Sequence, residues 1–106
     1  MSATASALET SLPQALEVLA RLRAMPYAQL QALPSHDTKE ISALGRRVPL
    51  TTYADVLEKH GRDIQVVVQL VAHGRLGFSR VWARGFRMSI QGESRELLEK
   101  ELYEYS

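Results

Sequence analysis

Between Asp63 and Ile90 the chain reads DIQVVVQLVAHGRLGFSRVWARGFRMSI, two runs rich in β-branched and aromatic residues around a short glycine-bearing linker. Such side chains are stiff at χ1 and pack well on a pleated surface, so each run predicts a strand. The linker His73-Gly74-Arg75-Leu76-Gly77-Phe78 holds two glycines that can take positive φ, which predicts a hairpin. A turn at Arg75 and Leu76 pairs Gly74 with Gly77, and from there Val68 with Ala83 and Ile64 with Arg87. In that register Ile64, Val66, Val68, Leu70 and Ala72 form a core face beside Arg87, Gly85, Ala83, Val81 and Ser79, large groups next to mostly small ones. The reverse face sets Phe78, Arg80, Trp82, Arg84 and Phe86 among Gln65, Val67, Gln69, Val71 and His73, and is expected to be half polar.

The remaining chain supplies what would cover that sheet. Residues 1–10 are small and polar and predict a disordered tail, leaving 11–106 as a single α+β domain. Ser11 with Gln14 fits a helix-start capping box, after which Leu12, Leu16, Leu19 and Leu22 recur at helical spacing until Pro26. Tyr27, Leu30 and Leu33 predict a further short helical face closed by Pro34. Ile41 and Ala43 against Val48, Leu50 and Thr52 predict a second hairpin turning at Gly45-Arg46. The stretch 51–60 has a helix-like cap at Thr52 and an end at His60-Gly61, but Thr52, Ala54 and Val56 continue the strand parity, and the strand is preferred. Ser94 predicts the cap of a last helix with Leu98, Leu102 and Tyr105 as its stripe. The fold class that follows is α+β: a mainly antiparallel sheet of three to four strands in two hairpins, with N-terminal helices and a short C-terminal helix.

A chain of 106 residues suits one domain and buries enough surface to fold without a metal or disulfide. It has no cysteine, which removes disulfides, thiolate metal ligands and cysteine nucleophiles. The net charge of +1 is far below what a dedicated nucleic-acid binder carries, although basic groups gather in the middle of the chain and Glu96, Glu99, Glu101 and Glu104 make its end acidic. The N-terminus lacks the basic and apolar regions of a secretory signal, and no apolar run approaches a membrane span of about 20 residues. A cytoplasmic protein without membrane association is the expectation.

Few residues nominate chemistry. His36, His60 and His73 each lie beside a predicted turn and lack zincin or zinc-finger spacing, so no metal site is expected. No nucleophile elbow or phosphate-cradling loop is present, and neither a catalytic residue nor a cofactor is nominated. What stands out is the alternation Phe78, Arg80, Trp82, Arg84, Phe86. The bland reading is that arginine stems cover aromatic rings and keep their charges wet. The functional reading takes these residues as a binding face, since tryptophan, phenylalanine and arginine are enriched at interfaces. The expected function is a small non-catalytic module binding a protein partner or itself, through that face or a free strand edge, with Trp82 as anchor. The alternative is weak single-stranded nucleic-acid binding by the same residues, with bases stacked on the rings and phosphates on the arginines. A small-molecule enzyme comes third, with no site nominated.

Overall fold

The structure is a computed structural model and describes residues 3–74 and 79–105. Helix α1 (Ala3–Arg23) and the single-turn helix α2 (Tyr27–Gln31) precede five strands: β1 (His36–Ala43), β2 (Arg46–Leu57), β3 (Asp63–His73), β4 (Ser79–Met88) and β5 (Ser94–Glu96). Two short 3-10 turns, Glu99–Glu101 and Tyr103–Tyr105, follow. The strands form one antiparallel sheet in the order β1-β2-β3-β4-β5, each pairing with its neighbour in sequence. The α+β class and antiparallel sheet agree with the sequence reading, with β5 bringing the strand number to five.

Helix α1 begins well before Ser11, so the predicted tail contributes Ala3–Thr10 to it. Ser11 is not a cap: it is fully buried inside the helix, and its hydroxyl donates to the Ala7 carbonyl at 2.9 Å. The reason lies in the spacing of small residues. Ala7, Ser11 and Ala15, each fully buried, let the helix backbone approach the sheet closely, and Leu19 and Leu22 continue the seam. Pro13 sits within α1 and has no N–H for the Glu9 carbonyl, just where Thr10 and Ser11 hydroxyls bond back to Ser6 and Ala7.

β3 runs through the middle of the sheet and is the most buried element. Ile64, Val66, Val68 and Leu70 face α1, while Val67, on the opposite face, is also fully buried. The pairing with β4 differs by one residue from the predicted register: Ile64 lies opposite Met88, Val66 opposite Phe86, Val68 opposite Arg84 and Leu70 opposite Trp82. A one-residue slip turns every side chain over. The predicted register would put the large apolar Phe86 and Met88 outside and Gly85 and Arg87 inside; the observed one buries both large groups with Ile64 and Val66 beneath α1. The last described pair of this ladder is His73 with Ser79, and the predicted turn at Arg75 and Leu76 lies outside the described residues.

The second face is covered by the end of the chain. Ser94, predicted to cap a helix, instead starts β5, and Leu97 rather than Leu98 is buried. Gly85 makes this possible, because a Cβ there would overlap the Val66 carbonyl and crowd the Leu97 side chain. Tyr105 lies against Tyr53 with ring centroids 5.1 Å apart, its hydroxyl accepts from Gln65, and its carbonyl accepts from the Gln69 amide. Burial pushes its phenol above the ordinary value. Glu101 fastens the same segment: its carboxylate takes both Arg95 guanidinium nitrogens at 2.8 Å and the Leu98 N–H at 2.9 Å, with Arg87 at 3.3 Å. The Arg95 hydrogen bonds, the Leu98 N–H and the two positive charges together hold its pKa down to about 2. Arg95 is correspondingly raised, chiefly by its hydrogen bonds to Glu101.

Val68→Asp places a carboxylate beneath α1, where it must lose its hydration or be protonated at a cost of several kcal/mol, about the size of a small domain's stability. The cooperative melt is expected to vanish. Gln69→Asp loses only the contacts to Tyr53 and Tyr105 and is expected to keep a cooperative melt at lower temperature, by roughly 1–3 kcal/mol. For Glu101 the folded pKa of about 2 lies below the ordinary 4.5. Its ionised form thus stabilises the fold fully above about pH 4.5, and this contribution is lost as pH falls toward 2. The gap in melting temperature between the wild-type protein and Glu101→Gln should be largest at neutral pH and close across that interval; a gap independent of pH would show that the charge is not what matters.

Candidate functional site: the outer edge of the fourth strand

The corrected register changes what the Arg-and-aromatic strand can offer. Phe86 is 0 % exposed, lying under α1 with the Arg23 guanidinium 5.8 Å from its ring centroid. Trp82 is half-buried and packs against the core, while Arg80 and Arg84 are exposed on either side of it on the same face. Phe78 lies outside the described residues. Three of the five predicted residues, Arg80, Trp82 and Arg84, are therefore gathered on β4 with surface to offer, and Phe86 is not. Among the described residues neither arginine has an ion-pair or side-chain hydrogen-bond partner.

What distinguishes this part of β4 is its backbone. β5 pairs only with Phe86, Arg87 and Met88, and one more bond, from the Leu97 N–H to the Gly85 carbonyl at 2.9 Å, ends the contact. Because that carbonyl points away from β3, the alternation of an antiparallel ladder also turns the N–H and C=O groups of Ala83, Val81 and Ser79 outward. No described residue pairs with this stretch on that side. Val81 is 38 % exposed. On the helix side, Leu16 and Leu12 lie two and three turns before Arg23 and share its side of α1, the side that reaches Phe86. Leu16 is 45 % exposed, so an apolar shelf runs beside the open edge. Val81, Ala83 and Leu16 were not legible as site residues, because their role depends on where β5 stops.

The second open edge is β1, the other margin of the sheet. The Ala54 N–H donates to the Ser35 carbonyl at 3.0 Å, so odd-numbered residues face β2 and His36, Thr38, Glu40 and Ser42 turn their backbone groups out. Residues 36–40 are all exposed. A cleft of about 230 Å³ lies alongside, between the C-terminal half of α1 and the β1–β2 hairpin, lined by Val18, Leu22, Met25, Leu33 and Leu50 with Asp37 and Lys39 of β1. A second cleft of about 220 Å³ lies near Asp63, Arg87 and Arg95, and both arginines are paired with Glu101.

The histidines are dispersed: His36 on β1, His60 in the β2–β3 turn and His73 at the end of β3, where its ring lies 3.4 Å from the Ser79 hydroxyl. No group of three or more potential metal ligands occurs among the described residues. Nor, among those residues, is any helix long and apolar enough to cross a membrane. Compared with known protein families, with curated proteins and with solved structures, the chain has no significant match.

The edge geometry is directly measurable by amide hydrogen exchange. Along β4 the amides of Trp82 and Arg84, which face β3, should be protected, and those of Val81 and Ala83 should exchange rapidly. Uniform protection from residue 81 to 84 would mean that something already occupies the edge.

Proposed function

We propose that this protein is a non-catalytic binding module that takes an extended segment of a protein partner onto the outer edge of β4, with Trp82 as the anchor. The observation that carries this reading is the open ladder from Ser79 to Arg84, where β5 stops short and leaves outward backbone groups beside exposed apolar surface. A strand added there gains main-chain hydrogen bonds along the edge and side-chain contacts at alternate positions. On the helix face its side chains meet Arg80, Trp82, Arg84 and the Leu16 shelf. An apolar residue opposite Trp82 with acidic residues on either side fits that order of groups. On the other face Val81 and Ala83 suit small apolar side chains.

Charge favours a foreign segment over a second copy of β4. Two copies pairing about Trp82 would set Arg80 against Arg84 twice, and like charges directly opposite are destabilising. The nucleic-acid reading keeps Trp82 and the two arginines but loses Phe86 as a stacking surface.

Trp82 is the only tryptophan in the chain, so its fluorescence reports on the site. Titration with an extended peptide that presents glutamate, valine and glutamate at alternate positions with alanines between them should shift that emission saturably, and the same peptide with lysines for the glutamates should not. Val81→Pro removes an outward N–H without touching the bonds to β3, and is expected to weaken binding about tenfold while preserving the fold. Saturable binding of single-stranded RNA instead, falling steeply with salt, would replace this reading with the nucleic-acid one.

A further inference from the structure

We infer that two copies of this protein associate through β1, pairing antiparallel about a two-fold axis at Thr38 to join their sheets into one of ten strands. This inference is independent of the partner at β4, which lies at the opposite side of the sheet. Its basis is the order of charges along the exposed edge, His36-Asp37-Thr38-Lys39-Glu40.

An edge strand is ordinarily protected from unwanted pairing by charged residues, and β1 is rich in them. Charges of both signs, however, block some registers and favour others. Two-fold pairing must match outward-facing residues with one another, which fixes the parity and leaves only the centre to be chosen. Centring on Asp37 sets Asp37 against its own copy; centring on Lys39 or Glu40 does the same with those residues. Centring on Thr38 sets Asp37 against Lys39 and Lys39 against Asp37 on the helix face. It also sets His36 against Glu40 and Glu40 against His36 on the other. Every charged group thus meets a group of opposite sign or a hydrogen-bond donor, and Thr38 meets Thr38. Among the described residues Asp37 and Lys39 have no ion-pair partner within the monomer. Glu40 has only an exposed pair with Arg47 at 3.4 Å, worth little in water. The backbone of His36, Thr38 and Glu40 supplies the hydrogen bonds, and the apolar cleft beside Asp37 and Lys39 borders the new seam. Such an interface is isologous and closed, so it yields a dimer and not a fibre.

The test uses the full chain in sedimentation equilibrium from low micromolar to near-millimolar concentration. The wild-type protein should dimerise. Asp37→Lys and Lys39→Asp each turn two attractive contacts repulsive, and each is expected to weaken dimerisation by roughly tenfold or more. The double variant Asp37→Lys/Lys39→Asp restores opposite signs and should dimerise again, and an equimolar mixture of the two single variants should form the heterodimer. Both substitutions lie on exposed positions, so thermal melts should confirm an intact fold. The centre is fixed by Thr38→Cys in this cysteine-free chain: a hydrogen-bonded antiparallel pair has its Cα atoms about 5.5 Å apart, within disulfide range. That variant should crosslink under mild oxidation faster than Ser42→Cys. A wild-type protein that stays monomeric throughout overturns the inference, as does a dimer that ignores both charge reversals.

Discussion

The burial of β3 from both sides is the constraint on which the rest of the structure depends. Ile64, Val66, Val68 and Leu70 need a helix over them, and Val67 needs a cover on the other face. α1 meets the first need with a seam of small residues that lets its backbone lie close. The chain after β5 meets the second, with Leu97 seated over Gly85 and Tyr105 among the glutamines. These covers bury the faces of the sheet, out to Ile41 and Ala43 of β1, but no described residue pairs with the outward backbone of β1 or of β4 from Ser79 to Ala83. The two open edges differ in kind: β1 presents mixed charge in an ordered sequence, β4 presents tryptophan between two arginines.

The hairpins were legible because β-branched residues and alternation carry information over a few residues. The strand at 51–57 was legible by parity alone, since Thr52, Ala54 and Val56 share the face of Val48 and Leu50. Register was not. Glycines at positions 74 and 77 suggested a tight turn, whereas the side chains of Phe86 and Met88 decide the pairing by where they must be buried. Ser11 misled because a hydroxyl three residues before a glutamine has the form of a cap, while its burial depends on a sheet formed much later in the chain. At the C-terminus, Leu98 and Leu102 have helical spacing, yet Leu97 is drawn into the sheet by Gly85 and the helix is forgone.

The same division holds for the site. The alternation of Arg80, Trp82 and Arg84 is visible in the sequence, and the structure leaves these three on an accessible stretch of β4. Phe86 belongs to the same alternation and is wholly interior. Nothing local separates it from Trp82: the difference is the position of Arg23 and the end of α1, which lie more than fifty residues away in the chain. Edge status is likewise a property of the assembled sheet, set by β5 being three residues long.

The strand order has a kinetic meaning as well. Every strand pairs with its neighbour in sequence, so each hairpin closes over a short loop at little entropic expense. α1 is the exception, because its principal supports, β3 and β4, emerge only after β1 and β2 have been made. Its small residues Ala7, Ser11 and Ala15 and its leucines Leu19 and Leu22 are buried against the assembled sheet. The sheet thus rests on pairings between neighbours in the chain, and α1 on contacts that span it, which puts the helix at the long-range end of the fold.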